Sequence, residues 1–127
     1  VAVFLTQKFR PFITKALGGT VTGYGVIGWT TWGSGLSPAS PILLAVSGEQ
    51  GPSRAGTTTS LIQTLTPQDT LQIVGAKLIS STSFTLTQVG LTDAASGGNL
   101  LAVADISPTI TINPGDSLTV TFSIEII

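Results

Sequence analysis

From Leu118 to Ile126 apolar and polar side chains alternate strictly: Leu118, Val120, Phe122, Ile124 and Ile126 are separated by Thr119, Thr121, Ser123 and Glu125. Successive side chains of an extended chain point to opposite faces, so a period of two predicts a half-buried β-strand with the apolar set inward. Asn113-Pro114-Gly115-Asp116 just before it reads as a tight turn, because proline presets φ and glycine accepts a positive φ. Thr109 to Ile112 is then expected to be the antiparallel neighbour of the last strand, with Ile110 and Ile112 inward.

The same reasoning places strands upstream. Thr57 to Thr66 is rich in threonine, which favours β structure, and ends at Pro67-Gln68-Asp69. Thr70 to Ser80 follows, with Gly75 as a bulge or a point of close approach. Phe84, Leu86, Val89 and Leu91 share one apolar face only if a residue near Gln88 is bulged, because the step from Leu86 to Val89 breaks the alternation. A loop from Ala94 to Asn99 leads into a strand from Leu100 to Asp105. Nearer the start, Thr20 to Thr30 is a candidate strand, Gly33 to Pro41 a loop, and Ile42 to Val46 a short apolar strand. Gln7 to Leu17 contains Pro11 and is expected to be extended, with at most one helical turn. The whole predicts an all-β chain: an extended N-terminal arm over residues 1–19, then one β-sandwich or jelly-roll-like domain over residues 20–127.

Composition narrows the chemistry. The 127 residues contain no His, no Cys and no Met, and only 9% are charged. Ser and Thr are plentiful, but a hydroxyl nucleophile needs a base, histidine is absent, and Lys77 lies in a regular strand. Thiolate metal sites and disulfides are excluded. Asp69, Asp93, Asp105 and Asp116 are isolated from one another in sequence, which suits turn capping at Asp69 and Asp116 better than a calcium loop. No paired-carboxylate signature for glycoside hydrolysis appears. The expectation is therefore a protein that is not an enzyme and takes no cofactor or metal.

Charge is unevenly placed. Lys8, Arg10 and Lys15 lie in the first eighteen residues without an acid, whereas Arg54 and Lys77 face six acids in the rest. A basic arm on a mildly acidic body suits an acidic protein neighbour, and three charges are too few for a nucleic-acid surface. No run approaches the roughly 20 apolar residues of a membrane helix, and Val1 to Leu5 is too short for a signal-peptide core, so a soluble protein without membrane association is expected. Tyr24, Trp29 and Trp32 suit core or subunit-interface packing better than sugar stacking. The candidate interface residues are Phe4, Lys8, Phe9, Arg10, Phe12, Lys15, Trp29 and Trp32.

Several segments together carry a resemblance: Ile27-Gly28-Trp29 running into Trp32-Gly33-Ser34-Gly35, Asp69 to Val74, Val89-Gly90-Leu91-Thr92-Asp93-Ala94-Ala95-Ser96-Gly97-Gly98-Asn99-Leu100-Leu101-Ala102, and Pro114 to Val120. Over roughly Tyr24 to Ile126 the chain resembles small virion structural proteins of tailed bacteriophages, especially capsid decoration or cement proteins. The resemblance implies a protein made in the host cytoplasm and carried on the outer capsid surface of the virion. Its implied partner is the major capsid protein, and a homotrimer at threefold sites is the expected assembly. A tail or fibre module contacting the host surface, with sugar stacking on Trp29 or Trp32, is the alternative.

Overall fold

The computed structural model describes residues 3–19, 23, 28–49, 54–79 and 83–125. Among them are β1 (Val3–Leu5), α1 (Phe9–Leu17), β2 (Trp29–Gly33), β3 (Ala55–Ile62), β4 (Thr70–Leu78), β5 (Phe84–Thr92), β6 (Leu100–Ile112) and β7 (Ser117–Glu125). The seven strands form one antiparallel sheet in the order β1-β6-β5-β2-β3-β4-β7. The sheet curls, so that Leu118 and Phe122 of β7 share one apolar cluster with Leu86 and Val89 of β5 and Ala104 of β6. This is the expected all-β single domain.

Alternation predicts the faces well. Leu118 and Phe122 are buried and Val120 and Ile124 half-buried, while Thr119, Thr121 and Ser123 are exposed. The irregularity near Gln88 is also present: pairing passes from Leu86↔Ile110 to Gln88↔Asp105, with the extra residues on β6. Leu86, Val89 and Leu91 share one cluster as expected, although the inserted residues lie on β6 and not at a bulged residue of β5. Gly75 is a point of close approach without a bulge, in register with Thr57 and Val120, where a Cβ would collide with the Thr30 side chain.

Pairing partners differ from expectation at the end of the chain. The turn after Ile112 does not close a hairpin: β7 pairs with β4 over its whole length, and β6 pairs with β5 and β1. The local turn is as expected, with Gly115 at φ 96°, Asp116 N–H donating to Asn113 O at 3.0 Å and Asp116 Oδ2 accepting from Asn113 N–H at 2.7 Å. It is stitched to the end of β4, since Gly115 N–H donates to Ile79 O at 2.7 Å and Ile79 N–H to Asp116 O at 2.9 Å. A period of two specifies a face and leaves the neighbour open. The expected separate strands at Leu100–Asp105 and Thr109–Ile112 are one thirteen-residue strand, and Ile110, expected inward, is 48% exposed.

Three further expectations near the start are corrected or limited. Ile42 to Val46 belongs to an irregular loop over residues 34–48, because this segment packs across the sheet face instead of pairing at its edge. Of the expected strand Thr20 to Thr30, only Gly23 and residues 28–30 are described; Trp29 opens β2, which runs on to Gly33. Tyr24 lies outside the described residues. Gln7 to Leu17 is not extended: α1 has nine residues, with Pro11 in its first turn, where the missing N–H has no helical acceptor anyway. Phe9, Phe12 and Ile13 face the main cluster, and β1 pairs with Ala102–Ala104 of β6.

Candidate interaction surface

A second apolar cluster lies on the outer face of β6, where Ala39 and Val46 of the 34–48 loop cover Leu100 and Val103, flanked by Phe4 and Leu43. Apolar packing alone leaves a long loop free to slide, and buried hydrogen bonds remove that freedom. Gln88, 1% exposed, is the hook. Its Nε2 donates to Ser37 O at 3.1 Å and to Asp105 Oδ1 at 3.0 Å, and its Oε1 accepts from Ser47 N–H at 2.8 Å. The Asp105 carboxylate accepts from Ala39 N–H at 3.0 Å, and Thr87 Oγ1 donates to Gly35 O at 2.7 Å. The loop base is paired with itself, Ser34 N–H to Gly48 O at 3.0 Å and Gly35 N–H to Ser47 O at 2.9 Å. Gly35 is required there, because a Cβ would run into Ser47.

So held, the loop turns three large aliphatic side chains outward: Leu36 is 95% exposed, Ile42 72% and Leu44 63%. Isolated exposed aliphatics are common, but these three stand on one hydrogen-bonded loop that contains no charged residue, with Leu36 beside Thr87 and Asp105 and Leu44 beside Arg54 and Leu100, so the loop offers separate points of apolar contact along its length.

Beside the loop, Arg54 ties three segments together. Its Nε and Nη2 donate to the Glu49 carboxylate at 2.7 and 3.1 Å, and its Nη1 to Ala94 O and Gly97 O, both at 2.8 Å. Thr31 Oγ1 also donates to Glu49. The Arg54 hydrogen bond holds the Glu49 carboxyl below its ordinary range, with burial opposing and Thr31 adding to the lowering. In the same hairpin, Asp93 accepts from Asn99 N–H at 2.7 Å and from Asn99 Nδ2 at 2.8 Å. The guanidinium satisfies loop carbonyls and a carboxylate in one plane, a task lysine lacks the geometry for.

The residues expected at an interface are dispersed. Trp32 is 0% exposed and Phe9 8%, so both are corrected to core positions with no surface to give a partner. Phe12 packs half-buried against Phe9, with ring centroids 6.2 Å apart. Phe4 is half-buried beneath the loop, and Trp29 half-buried on β2 beside Gly56. Lys8 and Lys15 are half-buried at the two ends of α1, and Arg10 is exposed. The structure thus gathers Phe9 and Phe12 on α1, the helix that also carries Lys8 at its N-cap, Arg10 and Lys15, and places Trp29 on β2. Sequence reasoning missed Leu36, Ile42 and Leu44, whose signal was large aliphatics in a Pro- and Ser-rich stretch without charge. It also missed the bonds of Gln88 and Asp105 and those of Arg54 to Ala94 and Gly97, whose partners lie far along the chain, and the Glu49–Arg54 pair five residues apart.

Neither the family models nor the curated proteins contain a match to this chain. Among the described residues no helix is long and apolar enough to cross a membrane, and no three acidic side chains gather in a metal-binding group.

Proposed function

We propose that this protein is a non-enzymatic virion component that binds the outside of an icosahedral phage capsid and holds neighbouring major capsid subunits together. The observation that carries the reading is the pinned 34–48 loop, which presents Leu36, Ile42 and Leu44 on a backbone already fixed by Gln88 and Asp105. A surface ordered before binding loses little conformational entropy on contact, so apolar burial converts efficiently into affinity. The sequence resemblance over Val89 to Ala102 supports the same reading; these residues form the end of β5, the loop braced by Arg54 and the start of β6. A protein that binds the assembled shell and not the dispersed subunits stabilises the shell by mass action.

Particles depleted of this protein are expected to assemble and then lose DNA at a lower temperature. Adding back purified protein restores heat resistance up to full occupancy, and the Leu36→Ser/Ile42→Ser/Leu44→Ser variant, folded by circular dichroism, fails to do so. Intact heat resistance in depleted particles, together with failed adsorption to cells, overturns the reading in favour of a tail or fibre module. Sugar stacking in such a module would fall to Trp29, since Trp32 is buried.

A further inference from the structure

Curling of the sheet brings its two ends toward each other. β7 stands last in the strand order and β1 and β6 stand first, and among the described residues no strand pairing joins one end to the other. Between them lies a cleft of about 430 Å³. Its floor belongs to the main apolar cluster, with Leu86 2% exposed and Phe122 6%. Its walls are Val120 on one side and, from the other end of the sheet, Val3, Ile106 and Ile110.

The cleft explains two side chains that the alternation leaves anomalous. Ile110 pairs with Leu86 and so shares its inward face, yet it is 48% exposed. Val120 belongs to the inward set between buried Leu118 and buried Phe122, yet it is only half-buried. Both stand in the cleft, where the inward apolar face continues past the side chains that cover the rest of it. Six consecutive residues of β7, Leu118 to Ser123, line it, so it follows the strand for about 17 Å. A cleft of that length and volume is narrow. Among the described residues no charged side chain lines it, and its polar side chains are the exposed hydroxyls of Thr119, Thr121 and Ser123.

We propose that this cleft binds one unbranched hydrocarbon chain, the tail of a monoacyl or alkyl amphiphile, whose polar head stays in water beside the β7 hydroxyls. Small-molecule sites are concave, mainly apolar and of this size. An apolar cavity of about 150 Å³ admits a six-carbon ring, so this cleft has room for a chain of roughly a dozen carbons. Its narrow course along β7 suits a linear chain better than a compact ring system. An ionised head finds no opposite charge among the lining side chains, and burying it unpaired is costly, so only the tail enters. A protein partner is the poorer occupant, because the accessible lining is a small fraction of the roughly 800 Å² that each side of a stable protein contact covers. The site stands apart from the 34–48 loop and does not depend on the capsid reading.

Isothermal titration calorimetry of the full chain with 1-alkanols from hexanol to dodecanol is expected to show one saturable site. Its Kd falls about fourfold for each added methylene, the factor that burial of one such group supplies. A dodecyl chain carrying a nitroxide near its methyl end is expected to broaden the NMR signals of Leu118, Val120 and Ile110 and to spare those of Leu36 and Leu44. Ile110→Trp puts a bulky ring into the cleft from a position already half exposed, and weakens dodecanol binding by about tenfold or more with little change in melting temperature. Leu61→Trp, on β3 and outside the cleft, leaves the affinity unchanged. Phosphatidylcholine vesicles floated through a density gradient leave the protein behind, which separates a single bound chain from a bilayer surface. The nitroxide result decides the location even if Ile110→Trp fails to fold. Affinity indifferent to chain length, broadening centred on Leu36 or Leu44, undiminished binding by folded Ile110→Trp, or flotation with the vesicles overturns the proposal.

Discussion

Asp69 shows how much organisation one carboxylate can supply. It closes the β3–β4 hairpin by accepting from the backbone N–H groups of Thr64, Leu65 and Thr66 at 2.8, 2.8 and 2.9 Å. These bonds, that of Thr66 foremost, hold its carboxyl well below the ordinary carboxylate range, against a smaller opposing contribution from desolvation. A depressed folded-state value means that the stabilisation is present in full above the unfolded-chain range, about pH 4, and is lost as pH falls through the folded value. Asp69→Asn is therefore expected to lower the melting temperature at neutral pH and to flatten its fall between about pH 4 and pH 2. Thermal melts of the two proteins across that range check this; parallel curves would show that the carboxylate contributes nothing through ionisation. Gln88 plays the complementary role inside the molecule, where its amide supplies partners to Ser47 N–H and Ser37 O that an apolar side chain would leave unsatisfied.

At the scale of elements, residues 3–17 are part of the body. β1 extends the sheet beyond β6, and α1 places Phe9, Phe12 and Ile13 against the main cluster. Thr6 adds a further tie, its backbone N–H donating to Leu101 O at 3.0 Å and its hydroxyl donating to Leu100 O. Deletion of residues 1–17 is accordingly expected to destabilise the domain by several kcal/mol, because burying one phenylalanine is worth about 1.5–3 kcal/mol by area alone. Urea unfolding of the truncated chain measures this. An unchanged midpoint would return these residues to the status of a separable arm.

For the whole molecule, scarce charge and a fixed apolar loop set the character of its contacts. Of the three basic residues near the start, only Arg10 is exposed, and Lys8 and Lys15 are half-buried on or beside α1. If binding to particles runs through Leu36, Ile42 and Leu44, it is expected to persist when ionic strength rises from about 0.1 M to about 1 M, where the Debye length shrinks from about 10 Å to about 3 Å. Co-sedimentation with depleted particles at the two salt concentrations gives the answer. Release at high salt would assign the contact to the basic positions.

Local pattern determined the β class, the inward face of β7, the break near Gln88 and the turns at Asp69 and Asp116, because each follows from side-chain alternation or from the backbone preferences of a few adjacent residues. Which strands pair was beyond its reach. β7 lies beside β4 and not β6, and the stretches before and after Pro108 are one strand, since both outcomes depend on how the sheet curls as a whole. The helix at Phe9–Leu17 was hidden by Pro11, whose penalty vanishes in a first turn. Burial of Trp32 and Phe9, exposure of Leu36, Ile42 and Leu44, and the bonds joining Gln88 to Ser47 and Arg54 to Gly97 were likewise decided by tertiary structure. Hydrophobicity tells which residues favour burial, while the supply of covering surface depends on chain segments tens of residues away, so only the folded sheet settles which of them are covered.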